Sequence, residues 1–486
     1  MKILTAEQIR ACETEAVNNG ISLGELMLRA GTAAANEIKN SYEIANKSVL
    51  IVCGNGNNGG DGFVMASVLS SFGANVSVFL PMGAPKTDIA REHFDCMQNV
   101  KTVAFFEDKY DIIVDALFGI GLTRGIDGEL GELVDRINLS NAVRISVDVP
   151  SGVSADGGVL GKAVRAELTL TMIAAKPCFF LPPASDYCGE VKVLDIGAPV
   201  NCYSYLTITP SALPKRTKNS HKGTFGKALL VCGSYGMCGA EILASRAALR
   251  TGVGILQAVV CDKNYAAFCA AVPAAVTYPV PTSSFGSAVI DLNRLYIWLK
   301  SSDAVLIGCG MGSTEETQKI VRVVLSTSEI PIVLDADGIN VICSDIELLR
   351  KTKAPLIITP HPGEMARLCK TDIANIEADR VGYATRFASE NSCIVVLKGA
   401  NTIVASPDGR VFFNTTGNPG LATGGSGDVL AGIMVSLLAQ GESPLTAAKD
   451  AVYIHGAAAD RLKASLGERF MLPSDIIEEL KTPELA

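Results

Sequence analysis

Short apolar runs separated by stretches of helical period recur along nearly the whole chain. Ser48–Cys53, Asn75–Leu80, Ile112–Val114, Val143–Val147 and Leu168–Met172 are runs of the length and composition of strands buried on both faces. Between them, Gly62–Ser71 and Leu130–Asn138 place apolar residues at helical spacing. A second series comprises Lys227–Cys232, Gly254–Val260, Ala304–Ile307, Ile332–Leu334, Leu356–Thr359 and Ile394–Leu397. Strands alternating with helices predict parallel sheets covered on both faces, so the expected fold class is α/β. The polar, basic, Pro-containing stretch Ser211–Lys222 interrupts the alternation and is the best linker candidate. A boundary near residue 212 predicts two domains, 1–212 and 213–486. Their glycine motifs differ in order and spacing, so no internal repeat relates them.

Composition narrows the class. A chain of 486 residues exceeds one ordinary core, and 48% hydrophobic against 19% charged residues is ample for large ones. A net charge of −8 argues against nucleic acid, whose phosphates need a basic face. The 14 Cys follow no metal spacing and sit in or beside apolar runs, as reduced core thiols do. His221, His361 and His455 lack ligand spacing for zinc. The N-terminus reads as an amphipathic helix from near Thr5 rather than a signal peptide, and no window has the ~20 apolar residues of a membrane span. The expectation is a soluble cytoplasmic protein without membrane contact, whose broad apolar helices favour a homo-oligomer.

In the first half, Gly54–Gly62 reads GNGNNGGDG between a strand and a helix. Such a turn at a helix N-terminus presents backbone N–H groups to an anion or polar ligand, although the spacing is neither the dinucleotide fingerprint nor a P-loop. Two further strand ends read VDALFGIG (Val114–Gly121) and VDVPSG (Val147–Gly152), which brings Asp115 and Asp148 to the ligand rim of a parallel sheet. Carboxylate, amide and hydroxyl oxygens gathered there suit a hard cation, and one aspartate could shuttle protons. Each Asp alone reads equally well as a cap or turn former.

These motifs, with Thr169, Lys176 and YCGEVKVLDIGAP, resemble the NAD(P)H-hydrate epimerase domain, the YjeF N-terminal family, over residues 1–200. The resemblance implies a Rossmann-like three-layer α/β/α domain. It assigns the damaged nucleotide to Asn57, Asn58, Gly59, Gly60 and Asp61, to the loop Gly119, Ile120, Gly121, Leu122, Thr123, Arg124 and Gly125, and to Asp148. It places a potassium ion at Asn58, Asp115 and Ser151. Ile120 stands where a hydroxyl is commoner and should contribute only backbone.

In the second half, Asn418–Gly432 reads NPGLATGGSGDVLAG. Small residues let backbone approach a phosphate, the helix start supplies oriented N–H donors, and Asp428 stands where an attacking hydroxyl would be deprotonated. Val395–Thr402 (VVLKGANT) ends a strand with Lys398, Gly399 and Thr402, suited to a nucleotide phosphate. LDADGIN (Leu334–Asn340), ITPHPGE (Ile358–Glu364), KALLVCGSYGMCGA (Lys227–Ala240) and IGCGMG (Ile307–Gly312) bring more polar or glycine-rich strand ends to the same crevice. His361, between two prolines, is read as a donor that orients ligand; His455 is equally readable as packing.

HKGTFG, GSYGMCGA, LDADGIN, TPHPGEMARL, KGANT and GNPGLATGGSGD resemble the ADP/ATP-dependent NAD(P)H-hydrate dehydratases, a ribokinase-like branch, over residues 215–480. The resemblance assigns the hydrated nucleotide to Ala240, Gly310, Gly312, His361 and Asp428. It assigns ADP, or ATP, with magnesium to Lys398, Gly399, Ala400, Asn401, Thr402, Gly417, Asn418, Gly420, Thr423, Gly424, Gly425, Ser426 and Gly427. Cys309 replaces the family's usual Pro, and Ala274 stands where Glu is common after Pro273. The implied function is repair of NADHX and NADPHX: Asp148 transfers protons in epimerisation, and Asp428 activates the hydroxyl for ADP-driven dehydration, giving AMP and phosphate. The rival reading is a small-molecule kinase fused to a non-catalytic nucleotide-binding module.

Overall fold

A computed structural model of the chain describes residues 1–211, 213 and 216–481. The chain divides into two compact units, Met1–Leu206 and Thr207–Ala486. The expected boundary at residue 212 lies outside the described residues. Residues just before it belong with the second unit, where Ile208 N–H donates to Phe413 O (2.8 Å) and Ser211 N–H to Asp450 Oδ1 (3.1 Å).

The first unit is one 7-stranded sheet; numbered in chain order within it, the strands lie 3-2-1-4-5-6-7. They are Ser48–Cys53, Asn75–Phe79, Lys101–Val103, Ile112–Ala116, Val143–Val147, Leu168–Met172 and Glu190–Leu194, and every pairing is parallel. Successive strand residues point to opposite faces, so Val49, Ile51 and Cys53 join one core and Leu50 and Val52 another. Helices Leu23–Ser41 and Asn57–Ser71 cover the first face, and Gly128–Leu139 the second. Strand order reverses between Ser48–Cys53 and Ile112–Ala116, the topological point at which open α/β sheets bind ligands.

In the second unit the parallel strands run in the order Val276–Val280, Ile255–Cys261, Lys227–Val231, Ala304–Ile307, Ile332–Leu334, Leu356–Ile358, Ile394–Leu397. Ile403–Ala405 and Val411–Phe413 extend the sheet antiparallel. Helix Ser426–Ala439 is buried on nearly all sides and lies close against Cys238–Thr251. Gly432 permits that approach, since a Cβ there would come within 2.2 Å of Ala244 O. Among the described residues no helix is long and apolar enough to cross a membrane.

Candidate active sites

At the switch point of the first sheet lies a cavity of about 550 Å³ lined by Asn57, Asn58, Asp61, Gly119, Ile120, Gly121, Leu122 and Asp148. The sequence treats Gly54–Gly62 as a turn, but the helix already begins at Asn57. The glycines serve packing more than ligand approach. A Cβ on Gly54 would lie 2.0 Å from Leu117 O, and one on Gly59 2.0 Å from Gly54 O. Gly60 meets the Met27 sulfur in the same way, and Gly62 that of Cys53. Gly59 and Gly60 are thus buried under the helix and do not line the cavity, nor do the exposed Thr123, Arg124 and Gly125.

Asp148 follows its strand directly with φ +70°, in the left-handed region that costs an L-residue roughly 1–2 kcal/mol. Its N–H donates to Leu170 O (2.7 Å). Its carboxylate accepts from Ile120 N–H (2.9 Å) and pairs with Lys176 Nζ (2.9 Å). Lys176 is wholly buried and donates also to Thr171 Oγ1 (2.5 Å) and Met172 O (3.2 Å). Sequence reasoning quoted Lys176 without a role; a lone Lys between apolar segments was the available signal.

Asp115 is wholly buried and accepts from Ser151 Oγ (2.6 Å), Ser151 N–H (2.8 Å), Ser146 Oγ (2.9 Å) and Leu117 N–H (3.3 Å). Burial pushes its carboxyl above the usual range and these bonds pull the other way. Among the described residues no ammonium or guanidinium pairs with it; Asn58, whose Nδ2 is buried without a partner, comes close to Asp148 at Gly119. The Asp115 carboxylate with the Ser146 and Ser151 hydroxyls gathers oxygens of the kind that suit a hard cation.

In the second unit helix Ser426–Ala439 starts from Gly425, at φ +97°, with no side-chain cap. The Ser426 N–H reaches Thr423 O (3.3 Å), leaving the N–H groups of Gly427 and Asp428 directed out of the helix end. The approach loop is braced by Asp460, which accepts from Gly417 N–H (2.8 Å) and Asn418 Nδ2 (3.0 Å), while Asn418 Oδ1 accepts from Gly420 N–H (3.0 Å). A Cβ on Gly424 would meet open space.

Asp428 Oδ, Cys309 Sγ and an Asp335 oxygen lie within 4.8 Å of one another. Burial, reinforced by the Asp335 charge, pushes the Asp428 carboxyl up to about 6. The Lys398 ammonium bonds Asp335 Oδ1 (2.8 Å), with Glu364 Oε2 at 3.9 Å. Burial opposes its charge, but Asp335 and Glu364 outweigh this and raise its pKa. It still stands at the foot of the glycine loop, 3.5 Å from where a Gly427 Cβ would be. Thr402 Oγ1 donates to Gly399 O (3.1 Å), Ala400 O accepts from Arg380 (2.7 Å), and Asn401 has φ +50°.

His361 caps helix Pro362–Cys369, its Nδ1 accepting from Gly363 N–H (3.0 Å) and Glu364 N–H (3.4 Å). Burial lowers its pKa, with the Glu364 charge opposing, and its Nε2 lies 3.6 Å from Glu364 Oε1. Gly310 packs against Ala240, and Gly312 N–H donates to Asp337 Oδ2 (2.8 Å). His455 is buried, pushed down to about 4 by that burial, and stands 3.4 Å from Ser426 Oγ. Asp335 and Glu364 lay within quoted motifs but were given no role. They are the acidic partners that position Lys398.

These features define an α/β protein with a polar crevice in each unit, one on a Rossmann-like sheet and one on a ribokinase-like nucleotide-binding fold. Residues 23–178 match the family described as YjeF-related protein N-terminus, and 228–482 that described as NAD(P)H-hydrate dehydratase. The chain is 36% identical over 484 residues to the bifunctional NAD(P)H-hydrate repair enzyme of Moorella thermoacetica, covering 94% of this chain and 91% of that one. The corresponding Escherichia coli enzyme is 34% identical over 494 residues, covering 98% and 92%. A solved ADP/ATP-dependent NAD(P)H-hydrate dehydratase from Bacillus subtilis, co-crystallised with ATP/Mg2+, is 32% identical, covering 55% of this chain and 92% of that one at a TM-score of 0.48. The chain belongs to the family of bifunctional NAD(P)H-hydrate repair enzymes.

Proposed function

We propose that the protein restores hydrated NADH and NADPH: the first unit interconverts the hydrate epimers, and the second dehydrates one of them with ADP or ATP and magnesium. The observation that carries this reading is Asp428. It is a carboxyl poised near neutrality, at an uncapped helix start, beside the Lys398 ammonium. Hydroxide leaves poorly, its conjugate acid having a pKa of about 15.7, whereas phosphate, with a second pKa of about 6, leaves readily. That ~10-unit gap bounds the gain from phosphorylation at ~13 kcal/mol. Asp428 takes the proton of the substrate hydroxyl, and the free N–H groups of the helix start receive the transferring phosphoryl group. Phosphate then departs with its C–O bond electrons as the ring nitrogen forms an iminium, which loses a proton from the adjacent ring carbon to solvent and so restores the dihydropyridine. ADP would yield AMP and phosphate.

In the first unit Asp148 is the proton-transfer group, and a potassium ion would be held by Asp115, Ser151 and Asn58. There it would neutralise the buried charge and order the neighbouring loop. We further infer a cytoplasmic homo-oligomer that acts on both nucleotides. The test is incubation with NADH hydrate, ADP and magnesium while 340-nm absorbance is followed. Recovery of NADH is expected; a stable phosphorylated hydrate with no recovery would establish the kinase reading instead.

A further inference from the structure

The epimerase crevice holds more acid than one proton-transfer group requires. Besides Asp148, its wall includes Glu13, Arg10 and Ile9 from helix Ala6–Asn18, together with Asp61. That helix is fixed at its start by a capping box between Thr5 and Gln8 and by Asp156 Oδ1, which accepts from Ala6 N–H (2.8 Å). It is tied to the rim by Arg10, whose guanidinium donates to Ile120 O (3.2 Å). Ile9, Cys12 and Ala16 bury one side of the helix. Arg10 and Glu13, three residues apart, therefore share the side turned to the cavity.

Glu13 is part-exposed within the cavity, and no hydrogen bond or ion pair engages it among the described residues. Asp148, by contrast, is held by the Lys176 ammonium and the Ile120 N–H. The crevice thus contains one carboxylate fixed in an ion pair and, among the described residues, two carboxyls left unengaged, Glu13 and Asp61, of which Glu13 stands beside Arg10 on the helix that rims the cavity.

Inversion of the hydrate needs such a pair. Water adds to an enamine at the carbon beside nitrogen, so the stereocentre carries both the hydroxyl and the ring nitrogen. We propose that Glu13 is the general acid of the epimerisation, working with Asp148 as base. Glu13 gives its proton to the hydroxyl, the carbon–oxygen bond breaks, and water leaves as the nitrogen lone pair forms the iminium. Water adds to the opposite face, the new carbon–oxygen bond forms, and its surplus proton passes to Asp148. The net change is inversion plus one proton moved from Glu13 to Asp148, which solvent exchange or turnover of the opposite epimer reverses.

The electrostatics agree. Burial first, then the Asp148 charge, pushes the Glu13 carboxyl above its ordinary value, while Lys176 and Arg10 pull it back only in part. Asp61 is also raised, by burial, Asp148 and Glu13, but it is the more deeply enclosed of the two. Asp61 is therefore the rival acid.

This inference rests on the crevice being the epimerase site, which Asp148→Ala tests separately by abolishing interconversion. The decisive measurement is epimer exchange in Glu13→Gln, Glu13→Asp and Asp61→Asn, followed by chromatography of NADH hydrate with ADP omitted so that dehydration is silent. Expected for Glu13→Gln is a kcat fall of roughly 10²–10⁴-fold with KM within a few fold, together with loss of the alkaline limb of the pH profile. Glu13→Asp should keep that limb at reduced kcat. ADP-driven dehydration by Glu13→Gln serves as the control for folding. Wild-type kcat in Glu13→Gln, a defect confined to KM, or an alkaline limb that survives in Glu13→Gln and vanishes in Asp61→Asn would each overturn the assignment.

Discussion

Replacing Asp428 with Asn should cripple dehydration and stabilise the fold, and the two effects have one cause. The Asp428 carboxyl sits near 6 in the folded protein against 3.8 for an ordinary aspartate, because burial and Asp335 disfavour its charge. A raised acid weakens the folded state wherever it is ionised. The penalty is fully present above pH 6, fades as pH falls from 6 to 3.8, and is absent below 3.8. A gap of about two units corresponds to ~3 kcal/mol at most, reduced to ~1.5–3 because the group is not fully enclosed. Asn keeps the shape and carries no charge. For a unit of this size, thermal unfolding at pH 8 should therefore rise by about 3–6 °C, with the gain vanishing near pH 4. Catalysis should fall ~10²–10⁴-fold as the base is lost. In the unsubstituted protein kcat/KM should drop about tenfold per pH unit below about 6. A melting curve unchanged or lowered at pH 8, or a difference independent of pH, would refute the electrostatic account; near-normal turnover would refute the role of Asp428 as base.

Lys176→Met should leave the part-exposed Asp148 with only its Ile120 N–H bond, destabilising the first unit by about 1–3 kcal/mol, read as the denaturation midpoint of its transition in urea. Gly54→Ala would press a methyl group into the Leu117 carbonyl at 2.0 Å. It should cost roughly 1–3 kcal/mol or displace the helix, with epimerisation lost while ADP-driven dehydration persists.

Both sheets were legible in the chain because strands buried on both faces read as uninterrupted apolar runs, as at Ser48–Cys53 and Ile394–Leu397. Lys101–Val103 and Glu190–Leu194 were not, since edge strands alternate or carry charge and lack that signal. Ile403–Ala405 and Val411–Phe413, three residues each, are too short to show any period. Leu23–Ser41 escaped for a different reason: its Ala- and Gly-rich face packs closely without bulky residues. The Asp428 loop was readable because its residue types stand adjacent in sequence. Glu13 and Lys176 were not, because each gains its partner only when distant segments meet at the crevice. The ion partners of Lys398 were not legible either, since Asp335 and Glu364 come from other strand ends.

The left-handed backbone of Asp148 has a consequence for the speed of the first unit. The residue's backbone N–H is held by Leu170 O and its carboxylate by Ile120 N–H and Lys176, so the carboxylate is already fixed where the proposed epimerisation would use it. The unfavourable torsion is borne once, when the chain folds. An arriving hydrate thus meets dipoles and charges that need not swing into place, and little reorganisation remains to slow the proton transfer.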